Sequence, residues 1–181
     1  QYRKLKEAGA SRVHNNLETS GENFANVCTT HTFDDKINAI RAAQAAGLAV
    51  CSGGIMGLGE TPKDRISMAM SLRELGIKSV PVNMLNPIPG TPFEKNPRLT
   101  ADDMRRIAAV YRFILPEASI RLAGGRGLLE DKGKGCFVRE LADQKRSRIY
   151  SFTEAVRNEG KLPGKKQLSL EKKRSRCVSG R

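Results

Sequence analysis

The stretch "GLAVCSGGIMGLGE", residues 47–60, decides how this chain is read. It begins as a short apolar run with a β-branched residue, reaches Cys51, passes through Gly53, Gly54, Gly57 and Gly59, and ends on Glu60. Cys51 has two readings. It is a small buried apolar residue ahead of a turn, or it is a ligand at a strand end, with the glycines bringing backbone close to a bound group.

Outward from this stretch one unit recurs: a short strand, a polar loop, an amphipathic helix, a glycine and the next strand. The strands are predicted at "SRVHN" (11–15), "LAVCS" (48–52), "SVPVNML" (79–85) and "SIRLA" (119–123). Their starts lie 31 to 40 residues apart, the length of a βα unit. Helices are predicted between them. Thr32 caps the first, Asp34 and Asp35 suit its positive end, and Gly47 closes it; Ile37, Ile40, Ala43 and Ala45 form its inward face. Thr61 caps the second, with Pro62 at its first position, Gly76 after it, and Ile66, Met70 and Leu72 as core. Thr100 caps the third, with Met104, Ile107, Tyr111 and Ile114 inward and Pro116 as the stop. The opening "QYRKLKEAGA" reads as the interior of a helix without an initiating Met, so the chain is expected to be a fragment.

Four βα units make half of a (β/α)8 barrel or a small open parallel sheet. In either, function gathers at the C-terminal ends of the strands. The residues there are His14, Asn15 and Asn16, then Cys51, Asn83 and Arg121. Each alone has an ordinary role: an Asn caps a turn, an Arg pairs on the surface. Together they form a polar, metal-capable rim. Glu18, just past the first strand, suits ribose hydroxyls. The glycine spacing is not G-x-G-x-x-G, which leaves a dinucleotide site as the weaker alternative.

The chain has 181 residues, 39% apolar and 28% charged, within the range of globular proteins. No apolar run approaches a membrane span of about 20 residues, and the expected location is cytoplasmic. Cys28, Cys51, Cys136 and Cys177 stand far apart, which argues against a local zinc site or a disulfide scaffold. The net charge of +13 is uneven: residues 1–137 hold 19 basic and 14 acidic side chains, residues 138–181 hold 13 and 5. The basic segment 138–181 is expected to be a poorly ordered, solvated tail, separate from a folded part over 1–137. Nucleic-acid binding is the lesser reading, since the tail carries few aromatics and no recognised motif.

"HNNLETS", "THTFDD", "VCSGGIMGLGET", "SVPVNMLNPIPGTP" and "IRLAGGR", in that order, resemble biotin synthase, a family of radical S-adenosylmethionine enzymes. The resemblance extends to about Phe137. It implies a (β/α)8 barrel that converts dethiobiotin to biotin, with electrons from a reducing donor protein and a homodimer in the intact member. It also implies a 4Fe–4S cluster that cleaves S-adenosylmethionine to a 5′-deoxyadenosyl radical, and a 2Fe–2S cluster that gives up sulfur. By the same resemblance Cys51 and Arg121 are ligands of the 2Fe–2S cluster. Asn16 and Glu18 are similar to the pair that holds S-adenosylmethionine, with Asn16 also near dethiobiotin. Ile55 and Leu58 match the adenine wall, and Asn83 and His14 match substrate contacts. Lys36 stands where many relatives carry Arg, in a position to face the cofactor carboxylate.

Two departures bear on this. The C-x-x-x-C-x-x-C loop for the 4Fe–4S cluster is absent, as are two of the cysteines for the 2Fe–2S cluster, so the chain alone is expected to be inactive. After Phe137 the sequence no longer resembles the family, as a frame-shifted gene end or a lineage-specific extension would look. Two other classes remain open: a non-catalytic module with a basic tail for nucleic acid, and a different radical S-adenosylmethionine barrel enzyme. An Arg at a strand end speaks against the latter.

Overall fold

The computed structural model describes residues 1–125 and 127. The boundary expected at 137/138, the tail, Cys136 and Cys177 lie outside the described residues. The order of elements is α1 (Tyr2–Glu7), β1 (Arg12–His14), α2 (Gly21–Val27), α3 (Phe33–Ala45), β2 (Ala49–Cys51), β3 (Gly54–Met56), α4 (Pro62–Glu74), β4 (Ser79–Met84), α5 (Ala101–Ile114) and β5 (Ser119–Leu122).

All pairings are parallel. Cys51 faces Ser79 and Gly54 faces Val82, so β2 and β3 keep one register against β4 and are two segments of a single strand. The sheet therefore runs β1, β2/β3, β4, β5, in chain order. Strands that follow chain order, with helices on one face, are the winding of a (β/α) barrel; an open doubly wound sheet reverses its order part-way. The fold is α/β, a partial barrel.

The three long helices each begin with a complete capping box, Thr32 with Asp35, Thr61 with Asp64 and Thr100 with Asp103. Each contributes on the order of 1 kcal/mol to its helix. The core lies between these helices and the sheet: Ile40 and Ala43 from α3, Met68, Ala69 and Leu72 from α4, Met104, Ile107 and Tyr111 from α5, against Val50, Val80, Val82 and Ile120. Two expected faces need correction. Ile66 and Met70 are 46% and 40% exposed, because each is two residues, about 200° of helix, from the buried Met68. Ala45 is likewise exposed, two residues past the buried Ala43.

Helix α2 was not legible as a helix amid its polar residues. Its signal is Ser20, whose hydroxyl caps it by accepting from Asn23 N. The second half of the glycine stretch also differs from expectation, since Gly54–Met56 is strand rather than loop. No helix among the described residues is long and apolar enough to cross a membrane.

Candidate functional site

Side chains alternate across a strand. Val13, Val50, Val80, Val82, Ile120 and Leu122 point to the helices. Alternation then puts His14, Cys51, Ile55, Ser79, Asn83 and Arg121 on the opposite, inner face, and the registers His14 with Cys51, Cys51 with Ser79 and Ile55 with Asn83 align them.

Three of these converge. The Arg121 guanidinium donates through Nη2 to Cys51 Sγ at 3.2 Å and through Nη1 to Ser79 Oγ at 3.1 Å. The Ser79 hydroxyl in turn donates to Cys51 Sγ at 3.4 Å. Cys51 is buried, and its sulfur accepts two donors brought by the next two strands. Sulfur and guanidinium thus meet on the inner face, a pair that could hold one side of a small iron–sulfur cluster. Ser79 was not singled out from the sequence, although its even spacing from Asn83 places it on the same face.

The second group sits where β1 ends. Between the pairings of His14 with Cys51 and of Glu18 with Gly54, the first chain has one residue more than the second, which is a β-bulge. The N–H groups of Leu17 and Glu18 both donate to the Gly53 carbonyl, at 2.9 and 3.2 Å. Asn16 Oδ1 accepts from Gly53 N at 3.0 Å. Glu18 is driven to φ 71°, the one described non-glycine residue with positive φ. Such strain gathers at sites where a side chain must be aimed. Its Oε2 is buried and has no hydrogen-bond partner among the described residues. Burial pushes the Glu18 carboxyl above its ordinary value, opposed by the Lys36 charge, a hydrogen bond from Asn16 and the charge of His14. Lys36, reaching over from α3, donates from Nζ to Asn15 Oδ1 at 3.3 Å. An unsatisfied buried carboxylate oxygen beside a lysine is an open demand for a donor, and ribose hydroxyls or an ammonium fit it.

Ile55 is half-buried and Leu58 is 6% exposed. Glu60, which ends the glycine stretch, accepts from Gly57 N through both carboxylate oxygens and pairs with Arg65 Nε at 2.8 Å. The expected role of Gly53 and Gly54 as a bed for a cofactor gives way to an internal one. A Cβ at Gly53 would lie 1.8 Å from the Pro81 carbonyl oxygen, and one at Gly54 would lie 2.5 Å from the Glu18 carbonyl oxygen and from the Met68 sulfur. These glycines let neighbouring strands close. Asn83 also has internal duties: Nδ2 donates to Gly54 O at 3.2 Å, and Oδ1 accepts from Gly124 N at 2.8 Å. Among the described residues these bonds leave one N–H and one lone pair of Asn83 for a ligand. His14 is exposed on the inner face.

Comparison with known proteins bears on this arrangement. Residues 1–72 match the model of the radical SAM superfamily, and residues 81–142 match that of the biotin and thiamin synthesis associated domain. A biotin synthase of Brachyspira hyodysenteriae is 70% identical over 137 residues, 76% of this chain and 41% of that protein. The first three quarters of this chain belong to the biotin synthases.

A second biotin synthase, from Clostridium botulinum, is 62% identical over 131 residues, covering 72% of this chain and 41% of its own length. The chain thus spans about two fifths of the length of these biotin synthases. Among solved structures, methylornithine synthase shares the fold with a TM-score of 0.62 at 21% identity, over 91% of this chain and 55% of its own. Among the described residues no three Cys, His, Asp or Glu side chains gather as a metal site, and the sequence has no C-x-x-x-C-x-x-C. Cys51 and Arg121 are side chains that could hold one side of an iron–sulfur cluster.

Proposed function

We propose that this chain forms the part of a biotin synthase barrel that holds one side of the 2Fe–2S cluster and most of the S-adenosylmethionine site. The observation that carries the reading is the contact of Arg121 with Cys51 Sγ at 3.2 Å across an intervening strand. Cys51 supplies a thiolate and Arg121 a guanidinium nitrogen, and Ser79 braces both. Glu18 takes donors of S-adenosylmethionine at its bare Oε2, Asn16 holds Glu18 in place and meets both ligands, and Lys36 faces the cofactor carboxylate. Ile55 and Leu58 offer an apolar wall to adenine. His14, Asn16 and Asn83 line the place of dethiobiotin. When bound, the cluster supplies the sulfur atom for biotin, and S-adenosylmethionine supplies the radical that activates the substrate carbons. The whole enzyme draws electrons from a donor protein and works as a homodimer.

The remaining thiolates for both clusters must come from beyond these residues. The chain as given is therefore expected to form neither biotin nor 5′-deoxyadenosine after anaerobic reconstitution with iron and sulfide. Measuring 5′-deoxyadenosine above background by chromatography would sink that expectation. The site reading is tested in a full-length barrel carrying these residues, where Cys51→Ala should abolish biotin formation.

A further inference from the structure

The segment from Leu85 to Thr100, between β4 and α5, has neither strand nor helix and lies at the functional rim, since it leaves the C-terminal end of β4. It carries four prolines, Pro87, Pro89, Pro92 and Pro97, and is knotted by short bonds of its own. Thr91 donates from N and Oγ1 to Ile88 O, and Gly90 N donates to Glu94 Oε2. Prolines and local bonds leave such a strap little freedom to lose. Long irregular connections that are stiffened in this way tend to serve the site they border.

One side chain of the strap reaches the glycine loop. Asn96 Nδ2 donates to the Gly57 carbonyl at 2.7 Å, across 39 residues of sequence. Pro97 disfavours helical backbone at Asn96, which narrows the directions open to its amide. The other side of Gly57 is also gripped, its N–H held by Glu60 at 2.8 Å. Gly57 and Gly59 sit at φ 102° and 94°, so the loop has no side-chain stiffness of its own at these positions. Leu58 lies between them.

We propose that Asn96 is a positioning residue, a latch by which the proline strap holds the Gly57–Glu60 loop in the form that receives S-adenosylmethionine. The inference rests on the proposed role of Ile55 and Leu58. Asn96 acts through Gly57 and does not itself touch the cofactor.

The latch is tested first in the 181-residue chain. Asn96→Ala, and Asn96→Asp as a near-isosteric variant without the donor, should speed hydrogen exchange at the Gly57–Gly59 amides about three- to tenfold, as loss of one hydrogen bond implies. Exchange in β1 and β4 should stay as in the parent. Unchanged exchange at the loop in a variant that keeps the parental circular dichroism overturns the latch. The second arm measures S-adenosylmethionine affinity in a full-length barrel with both clusters. A similar loss of affinity with an unaltered 2Fe–2S spectrum is expected. Faster loop exchange with undiminished affinity overturns the proposal by failing the cofactor reading of Ile55 and Leu58 rather than the hydrogen bond.

Discussion

Arg121 and Cys51 are 70 residues apart in sequence, yet the guanidinium rests 3.2 Å from the sulfur. They do not belong to neighbouring strands. β4 runs between them, and Ser79 on that strand bonds to both. The arrangement needs a small polar residue on the middle strand, because a larger one would part the pair. Three parallel strands each contribute one group to a single point on the inner face.

Exchanging these groups should separate their roles. In a full-length barrel, Cys51→Ala should lower 2Fe–2S content and abolish biotin formation while leaving S-adenosylmethionine binding intact. Arg121→Ala should be milder in assembly, since a guanidinium in the proposed role is a weak ligand whose place water can fill. Iron analysis and visible absorption report the difference, and a full 2Fe–2S spectrum in Cys51→Ala would make Cys51 an ordinary core cysteine.

Glu18 links strain, charge and binding. Relieving its left-handed backbone by Glu18→Gly should stabilise the chain by about 1 kcal/mol while weakening the proposed cofactor site. Chemical denaturation measures the first effect, and isothermal titration in a full-length barrel measures the second. A destabilised Glu18→Gly would show that the bulge is held by the side chain instead.

The same carboxyl carries a pH dependence. Its folded pKa is raised above the unfolded 4.5 by burial, so the protonated form favours the fold. This contribution is complete below the unfolded value and is lost as pH rises through the folded one. Glu18→Gln removes that loss. Its melting temperature should exceed the parent's at pH 7 and approach it on acidification. Parallel melting curves across the range would contradict the assignment.

Gly53 and Gly59 should respond differently to alanine. At Gly53 the new Cβ meets the Pro81 carbonyl oxygen at 1.8 Å, so Gly53→Ala must part β2 from β4. A loss of at least about 3 kcal/mol is expected. At Gly59 a Cβ meets nothing within 4 Å, and only φ 94° resists it, at a cost of about 1–2 kcal/mol. Urea midpoints compare the two directly.

Helix starts, strand cores and the rim of polar strand ends were legible in the sequence because they depend on neighbours within a few residues. A Thr at a helix start caps it through an N–H three residues on, and the three threonines predicted as caps, Thr32, Thr61 and Thr100, are the caps found. Cys51, Arg121 and Glu18 were legible as candidates for a related reason: polar or thiol side chains stand at the ends of strands that packing alone would fill with apolar residues. The outward turn of Ile66 and Met70 was not, because a helix with apolar residues on several faces has no unique inner one until a sheet is laid against it.

What the local sequence determined is thus the repeating unit, its caps, and which residue types stand at the strand ends. Tertiary structure alone decided that Ser79 braces Cys51 and Arg121, and that the expected glycine bed at Gly53 and Gly54 is a seam between strands. It also decided that one extra residue before Glu18 turns that carboxylate into a buried, strained group, and that Asn96 reaches back to Gly57. These are relations across 28 to 70 residues or one-residue shifts of register. They arise from strand pairing, in which a single inserted residue redirects a side chain and two distant residues meet only once both strands have their partners.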